Sequence, residues 1–252
     1  PFTFWYGNGQ KEWEGTYKDG KQDGLWTRWD ENKQKEWKKV YKDGELVNEW
    51  SFLYSYYDNG NKEMEGIYKD GLMDGMWTYY YPDGTLKAKG DFLNGDGGNV
   101  HSKSGIPQNG RDGDWIIYYP SGNVNAQYTY INGDFDQDWL EWHDNGNKKI
   151  EMHYINRIPH GPRLEWYKYG QKKLIYFYAY GTKTGTWAAW YPDGTKKHLY
   201  SYENGQKNHL WTVWWPNGHK KIQGNYVDGK KDGNFITWLQ NGQKKFEVVY
   251  EN

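Results

Sequence analysis

Aromatic and polar residues alternate along this chain in a pattern that returns every 24 residues. Residues 190–197 read WYPDGTKK, and the same spacing gives WWPNGHKK at 214–221 and WLQNGQKK at 238–245. Ten such units fill the chain when they are aligned on their turn, which reads Asn-Gly or Asp-Gly in seven of them and Asn-Lys, Ser-Gly or Tyr-Gly in the other three. Seven of the nine steps between the turns are 24 residues, and the other two are 27 and 38. A fixed period of this length predicts a repeat array in which each unit packs mainly on its neighbours.

Three columns of this alignment hold the aromatic side chains. The turn-proximal column lies three residues before the turn and comprises Trp5, Trp29, Tyr56, Tyr80, Tyr118, Trp142, Trp166, Trp190, Trp214 and Trp238. The tyrosine column lies nine residues after the turn and comprises Tyr17, Tyr41, Tyr68, Phe92, Tyr130, Tyr154, Tyr178, Tyr202, Tyr226 and Tyr250. The tryptophan column lies six residues before the turn and comprises Phe2, Trp26, Leu53, Trp77, Trp115, Trp139, Arg163, Trp187, Trp211 and Phe235. These positions follow no 3.6-residue period and do not indicate helices.

The same pattern predicts an all-β fold. Short aromatic and β-branched runs bounded by Gly, Asn, Asp and Pro are typical of strands, and the turn between them is typical of a hairpin. A second turn follows each hairpin, with two glycines four residues apart, as in KDGLMDGMW at 69–77. Ten units of strand, turn, strand and glycine loop predict an elongated meander of about twenty antiparallel strands in one long twisted sheet. We expect a single array over 1–252, with a loop insertion at about 96–109 and incomplete repeats at both ends.

The turn chemistry leaves two hairpin registers open. Pro192-Asp193-Gly194 suits a three-residue loop closed by a left-handed glycine, whereas a bare Asn-Gly suits a two-residue type I′ turn. The first register places Trp190 opposite Lys196, and the second places it opposite Lys197. In either register, each turn-proximal aromatic of the five C-terminal units faces a lysine.

Composition narrows the classes of function. Trp, Tyr and Phe make up 20% of the 252 residues, so rings must build the core, and disorder is not expected. The net charge of −1 gives no overall attraction to nucleic acid, although residues 1–126 carry 15 basic against 20 acidic side chains and residues 127–252 carry 17 against 13. The chain has no cysteine for disulfides or thiolate metal ligands, and no run of 18 apolar residues that would predict a transmembrane segment.

Motifs for catalysis or cofactor binding are not evident in the sequence. The seven histidines show no metal-ligand spacing, and NGDGGN at 94–99 lacks the alternating acidic ligands of a calcium loop. Neither a phosphate-binding loop nor a nucleophile elbow occurs. We therefore expect a protein that is not an enzyme and that has no cofactor and no metal site.

The stretch GIYKDGLMDGMWTYYYPDG at 66–84 resembles the MORN repeat, in which Gly-x-Tyr, a glycine turn and Gly-x-aromatic follow one another. The longer, tryptophan-rich spacing is similar to a bacterial variant of that family described as the antitoxin component of a toxin–antitoxin pair. This resemblance implies an elongated β-hairpin array that binds proteins or surfaces and has no catalytic residues, and the antitoxin description implies a toxin as partner. YINRIPHGPRLEW at 154–166 departs from the motif at Arg163 and at its first turn glycine, so we expect that unit to be distorted. A weaker resemblance, to the choline- and glucan-binding repeats of wall-attached proteins, implies carbohydrate binding instead and favours a cell-envelope or secreted location.

The candidate binding residues are the C-terminal turn-proximal tryptophans and the second lysine after each turn. They are Trp142, Trp166, Trp190, Trp214 and Trp238, with Lys149, Lys173, Lys197, Lys221 and Lys245. One interpretation is structural: the tryptophans are core, and the lysines lie along them and keep the turns soluble. The other is a groove of regularly spaced rings and cations that binds an acidic protein, an anionic glycan or a phosphate polymer. We expect a protein-binding scaffold or partner-recognition element in a larger assembly, with a cell-surface glycan or wall polymer as the alternative ligand and nucleic acid disfavoured.

Overall fold

The computed structural model describes residues 1–102, 104–131 and 133–251, and these ranges contain strands and turns but no helix. Strands β1 to β23 are, in chain order, Phe2–Trp5, Lys11–Gly15, Tyr17–Lys18, Lys21–Gln22, Gly24–Trp29, Lys35–Lys42, Glu45–Tyr56, Lys62–Lys69, Leu72–Tyr80, Leu86–Gly95, Arg111–Tyr118, Val124–Ile131, Asp134–Trp142, Lys148–Ile155, Ile158–Trp166, Lys172–Ala179, Thr182–Trp190, Lys196–Glu203, Gln206–Lys207, His209–Trp214, Lys220–Val227, Lys230–Trp238 and Lys244–Tyr250. Twenty-one of them belong to antiparallel sheet, whereas β3 and β4 pair only with each other. The predicted all-β meander of hairpins is confirmed. Among the described residues there is also no helix that is long and apolar enough to cross a membrane.

The strands divide between two compact units. Unit 1 comprises Pro1–Gly122 with Tyr130–Asp134, and unit 2 comprises Asn123–Thr129 with Phe135–Asn252. In unit 1, β1, β2 and β5 to β11 pair in chain order. In unit 2, β13 to β18 pair in the same way, β18 pairs with both β19 and β20, and β20 to β23 continue the order. Apart from the short strands β3, β4 and β19, the paired strands described here lie beside the strands that precede and follow them in the chain, as consecutive hairpins require.

In nine of the ten hairpin turns, the described residues form the same two backbone hydrogen bonds and the closing residue has a positive φ. In the turn after Trp190, the Tyr191 N–H donates to the Thr195 carbonyl at 2.8 Å, and the Gly194 N–H donates to the Tyr191 carbonyl at 2.9 Å. Gly194 has a φ of +87°, so this is a three-residue loop closed by a left-handed residue. The loop places Trp190 opposite Lys196. Bare Asn-Gly turns form the same loop, so the alternative two-residue turn is wrong. A β-bulge at Lys197 returns the rest of β17 and β18 to the register that a two-residue turn would give, with Ala189 opposite His198.

Two-residue type I′ turns do occur, but in the glycine loops. Asp70 and Gly71, for example, have φ values of +52° and +82° and connect β8 to β9. In the unit at 154–166, Asn156 and Arg157 adopt the same conformation, with φ values of +49° and +65°. Asparagine tolerates this region of backbone space, and β14 and β15 pair with each other from the turn onward. The expected distortion of that unit is therefore wrong.

The tryptophan column forms the packed face in both units. Trp26, Trp77 and Trp115 are at most 1% exposed, and Trp187 is 7% exposed. In several units the ring lies flat on a glycine of the neighbouring strand, so that a Cβ built on Gly66 would lie only 2.0 Å from the Trp77 ring. Glycine is required there because any side chain would occupy the space of the indole.

In two repeats where that glycine is absent, a stacked aromatic pair replaces the contact. Tyr176 occupies the position in one unit and stacks on Trp187, with ring centres 4.1 Å apart and an interplanar angle of 11°. Tyr200 occupies it in the next unit and stacks on Trp211 at 3.5 Å and 21°. In these two repeats the indole therefore packs on a phenol ring instead of a peptide backbone.

The insertion between β10 and β11 covers part of the packed face of unit 1. It follows Gly95 and ends before Arg111. Within it, Ile106 is 1% exposed and packs in a cluster with Phe92 and Trp115. The insertion is therefore part of the unit 1 core as well as a surface loop.

Candidate functional site

The five candidate tryptophans lie on the face opposite the tryptophan column. Trp190 follows Trp187 by three residues, and successive side chains of a strand point to alternate faces. The other four, Trp142, Trp166, Trp214 and Trp238, hold the same position in their hairpins, and all five are half-buried. Each indole therefore contributes to packing and still keeps part of its surface accessible.

Side-chain hydrogen bonds between neighbouring hairpins position these tryptophans. The Tyr167 hydroxyl donates to the Trp190 carbonyl at 2.9 Å, and the Trp215 Nε1–H donates to the Trp238 carbonyl at 3.1 Å. In each case the donor directly follows its own turn-proximal residue, so one hairpin orients the next. Sequence reasoning missed this link, although the signal was present: a Tyr, Trp or His follows the turn-proximal residue in eight of the ten units.

Each candidate tryptophan lies opposite the first lysine after the turn. The cross-strand pairs are Trp142 with Lys148, Trp166 with Lys172, Trp190 with Lys196, Trp214 with Lys220 and Trp238 with Lys244. The candidate lysines Lys149, Lys173, Lys197, Lys221 and Lys245 are therefore not the cross-strand partners of the tryptophans. Each is the extra residue of a β-bulge, because the register shifts by one between the tryptophan and the residue before it.

The first lysine also reaches the tryptophan of the next hairpin. The Nζ atoms of Lys148, Lys172, Lys196 and Lys220 lie 5.9, 5.8, 5.8 and 5.8 Å from the ring centres of Trp166, Trp190, Trp214 and Trp238. Rings and cations therefore alternate continuously. We call this set the Trp–Lys ladder: Trp142, Lys148, Trp166, Lys172, Trp190, Lys196, Trp214, Lys220, Trp238 and Lys244.

The second lysines make different contacts. Lys149 Nζ lies 2.8 Å from a carboxylate oxygen of Glu141. Lys197 Nζ lies 5.7 Å from the Tyr191 ring centre, and that of Lys221 lies 4.2 Å from the Trp215 ring centre. These lysines are therefore occupied with residues outside the Trp–Lys ladder, and the structure does not bring the predicted set together as one site.

Positive charge is least compensated in the middle of the Trp–Lys ladder. At its ends, Lys148 forms a salt bridge with Glu151 and Lys244 forms one with Glu247, both at 2.7 Å. The equivalent third residue after Lys172 or Lys196 is an isoleucine or a leucine, so no carboxylate is available at that position. Within the described ranges, neither Lys172 nor Lys196 forms a salt bridge. An anionic group of a partner would meet two open cations there.

The departure at Arg163 is explained by a charged network that replaces the missing tryptophan. Glu165, 7% exposed, accepts from Arg163 and, at 2.9 Å, from Lys173. Burial acts to raise the pKa of the Glu165 carboxyl, but its hydrogen bonds and charge interactions with Lys173 and Arg163 outweigh burial and leave that pKa below its usual range. The candidate Lys173 thus has a structural role in this network.

His198 lies among stacked rings on the packed face. Its ring lies 4.3 Å from that of Tyr200 at an interplanar angle of 5°, and its Nε2 lies 3.1 Å from the Tyr176 hydroxyl. Burial, together with repulsion from the Lys197 ammonium, lowers the pKa of His198 to about 4. The imidazole is therefore neutral at pH 7. In the ranges that the structure describes, no group of three or more His, Asp or Glu side chains is placed to hold a metal ion.

Four segments of the chain match the family model described as MORN repeat variant, at residues 73–94, 111–132, 138–156 and 210–228. All four begin in or beside a glycine loop and extend into the following hairpin, which agrees with the motif seen in the sequence. Among curated proteins, none matches this chain significantly.

The comparison with solved structures finds similarity to parts of much longer chains. A structure of the Photorhabdus luminescens Tc holotoxin pore is 12% identical over 93% of this chain, with a TM-score of 0.31, and a crystal structure of TcdB2-TccC3 is 10% identical over 98% of it, with a TM-score of 0.22. The same complex without its hypervariable C-terminal region is 11% identical over 99%, with a TM-score of 0.23. This chain spans only 12–16% of the length of those chains. At such TM-scores the likeness carries no argument about function.

Proposed function

We propose that this chain is a non-catalytic β-hairpin scaffold that binds a protein partner through the Trp–Lys ladder. The observation that carries the proposal is the unbroken alternation of partly exposed indoles and lysines, with Lys172 and Lys196 free of salt bridges among the described residues. Each 24-residue repeat contributes two strands spaced about 4.8 Å apart, so the pattern of ring and cation repeats about every 10 Å. It offers a partner a regular row of anchoring points.

Energetics favour a binding role for this row over a purely internal one. A cation–π contact of an exposed lysine contributes only roughly 0.5–1 kcal/mol, which orders the lysine without neutralising it. Tryptophan is among the residues most often found at binding hot spots, because it supplies a large rigid surface. Lysines without carboxylate partners attract an acidic surface and define its register.

A narrower form of the proposal is that the partner is a toxin, as the family resemblance implies. The second candidate function is binding of an anionic glycan or wall polymer. The observation that favours it is the row of partly exposed indole faces flanked by cations, since sugars stack on aromatic rings and anionic groups pair with lysine. Neither form includes a catalytic step.

The test is affinity purification of the full chain from its native source, with proteins and glycans quantified by mass spectrometry. The ladder variant carries Lys172→Glu, Lys196→Glu and Lys220→Glu. The matched control carries Lys18→Glu, Lys42→Glu and Lys168→Glu, which change the net charge equally outside the ladder. We expect a stoichiometric protein that co-purifies with the wild type and the control and falls at least about ten-fold with the ladder variant, because each reversal replaces attraction by repulsion.

Two results contradict the protein-binding proposal. One is capture of the same protein by the ladder variant at the wild-type level, which would assign the ladder a solubility role. The other is recovery of carbohydrate alone, lost in the ladder variant, which would establish the second candidate.

A further inference from the structure

A second row of cations lies on the packed face, at the strand ends that adjoin the glycine loops. It occupies the position four residues before the tryptophan column, where unit 2 has Lys183, Lys207 and Lys231 and unit 1 has Arg111. The three lysines directly face residues of the tyrosine column on the preceding strand. In the sequence these lysines lie inside the glycine loops, and we did not predict that they form a separate row.

All four cations occupy the same cradle of two rings. One ring is the tryptophan-column residue of the same 24-residue repeat, and the other is the next member of the tyrosine column. The distances from Nζ or Cζ to the two ring centres are 4.3 and 5.4 Å for Arg111, 4.9 and 5.3 Å for Lys183, 4.1 and 5.0 Å for Lys207, and 5.0 and 4.7 Å for Lys231. The geometry is therefore a repeated feature of the fold.

In unit 1 this cradle is covered by a segment of the chain itself. The Arg111 Nε donates to the Pro107 carbonyl at 2.8 Å, and its Nη1 donates to the Tyr130 hydroxyl at 3.1 Å. Beside it, the Ile106 side chain is 1% exposed and packs on Trp115. An irregular segment thus supplies oxygen acceptors to the cation and an apolar side chain to the rings, and Arg111 is only 3% exposed as a result.

In unit 2 the cradles carry cations without an anionic partner. None of Lys183, Lys207 and Lys231 forms a salt bridge within the part of the chain that the structure describes, and Lys231 donates to the Tyr250 hydroxyl at 3.1 Å. Burial, then the charges of Lys183 and Lys231, lowers the pKa of the Lys207 ammonium. The three lysines therefore repel one another, and an anion placed between them would relieve that repulsion.

We propose that Lys183, Lys207 and Lys231 form a docking site for an extended acidic segment of a partner protein, which covers them as residues 106–107 cover Arg111. The spacing defines the segment. Successive lysines lie two strands apart, about 9.6 Å, and three residues of extended chain span about 10 Å. A carboxylate at every third residue therefore matches the row, and apolar residues between them would contact the rings.

A protein segment fits this row better than a simple polyanion. The occupant of the unit 1 cradle contributes an apolar side chain as well as oxygen acceptors, and the unit 2 cradles offer the partly exposed rings of Trp211, Tyr226 and Tyr250 for the same contact. Inorganic polyphosphate could satisfy the lysines but has nothing to place on the rings. The site lies on the opposite face from the Trp–Lys ladder, and it does not depend on the proposed function.

The experiment measures fluorescence anisotropy of two labelled peptides with the full chain. EIAEIAE has glutamate at every third position, and EEEIIAA has the same composition with the glutamates together. We expect the spaced peptide to bind about five-fold more tightly, since one additional exposed ion pair at the upper end of its range changes affinity by roughly that factor. Polyphosphate is titrated as a competitor of the spaced peptide.

The key variant carries Lys183→Met, Lys207→Met and Lys231→Met, because methionine keeps an apolar stem over the rings and removes only the charge. We expect it to lose peptide binding by ten-fold or more while its melting temperature stays near that of the wild type, by the same ion-pair estimate. Replacement of the same lysines by arginine, the residue used in unit 1, keeps the charge and should preserve binding even if the methionine variant does not fold. The ladder variant Lys172→Glu, Lys196→Glu and Lys220→Glu should bind the peptide as the wild type does.

Any of four results overturns the proposal. They are absence of binding of the spaced peptide, equal affinity for the clustered peptide, undiminished binding by a folded methionine variant, and binding of polyphosphate more tightly than of the spaced peptide. Loss of binding in the ladder variant but not in the methionine variant would place the peptide on the Trp–Lys ladder instead.

Discussion

Replacement of Gly66 by alanine tests how the indoles pack on the sheet. A Cβ at this position would lie 2.0, 2.3 and 2.5 Å from three atoms of the Trp77 ring, whereas ordinary contact begins near 3.4 Å. Trp77 is 1% exposed, and its Nε1–H donates to the Ile67 carbonyl at 3.1 Å. The ring must therefore move by more than 1 Å, which disturbs both its packing and this hydrogen bond.

The expected loss of stability follows from two limits. Overpacking of a core costs about 1–3 kcal/mol. Expulsion of the ring would forfeit burial of about 150–250 Å², or about 4–6 kcal/mol. Gly66 does not have a positive φ, so the alanine adds no backbone strain and gains up to about 1 kcal/mol from reduced chain entropy. We expect a net loss of about 3 kcal/mol.

Hydrogen exchange is the appropriate assay, because a repeat array can open locally. A loss of about 3 kcal/mol should accelerate amide exchange about a hundred-fold in β8 and β9, at 1.4 kcal/mol per factor of ten. Gly7→Ala is the matched control, since a Cβ there meets nothing within 4 Å and its φ is not positive. The double variant Gly66→Ala with Trp77→Leu should lose less than the sum of the single losses, because the smaller side chain removes the clash.

Equal exchange in Gly66→Ala and Gly7→Ala would refute this explanation of the glycine. Additive losses in the double variant would also count against it. Gly90→Ala provides an independent repetition, since its Cβ would lie 2.4 Å from the Trp115 ring.

Three further perturbations test other parts of the structure. The pKa of His198 is about 4 in the folded state, below its ordinary value of 6.5, so the unfolded chain binds more protons between these two pH values. The free energy of unfolding in urea should therefore fall by roughly 1–2 kcal/mol as pH drops from 6.5 to 4, after the shift is discounted for partial exposure. It should fall less in His198→Gln. Glu165→Gln removes the counter-charge of Arg163 and Lys173 and should lower the free energy of unfolding in urea at pH 7 by about 1–2 kcal/mol. Glu151→Gln, which breaks the exposed pair with Lys148, should lower it by less than about 1 kcal/mol. Equal losses would contradict the buried network. Ile106→Ala should destabilise β10 and β11 by about 2–4 kcal/mol, measured by hydrogen exchange. Val100→Ala, at an exposed site of the same loop, should have little effect. Similar exchange in both variants would show that the insertion does not stabilise unit 1.

The fold was predictable because it depends on periodic features that can be seen directly in the amino-acid sequence. The turn glycines, the aromatic columns and the 24-residue step are local and repeated, so an error in one unit is corrected by the others. This redundancy is the reason that the hairpin meander was predicted correctly. It also explains why Arg163 looked like a defect: the column predicted a ring, and only the structure brings Glu165 and Lys173 to the guanidinium.

The site was harder to predict because it depends on register and on neighbours. The bare Asn-Gly after Trp238 is compatible with both a two-residue and a three-residue loop, and the choice decides whether Lys244 or Lys245 lies opposite Trp238. The contact between a lysine and the next hairpin's tryptophan joins residues 18 positions apart, which no local pattern specifies. The covering of Arg111 by residues 106–107 depends on how an irregular loop folds back.

The most direct test of the Trp–Lys ladder as a partner surface is hydroxyl-radical footprinting of the purified complex and of the free chain. Tyr169, 77% exposed at a turn, serves as the internal control. We predict that Trp166, Trp190 and Trp214 lose most of their reactivity in the complex while Tyr169 keeps its own. Unchanged reactivity of these tryptophans in a stoichiometric complex would contradict the assignment and place the partner elsewhere on the array.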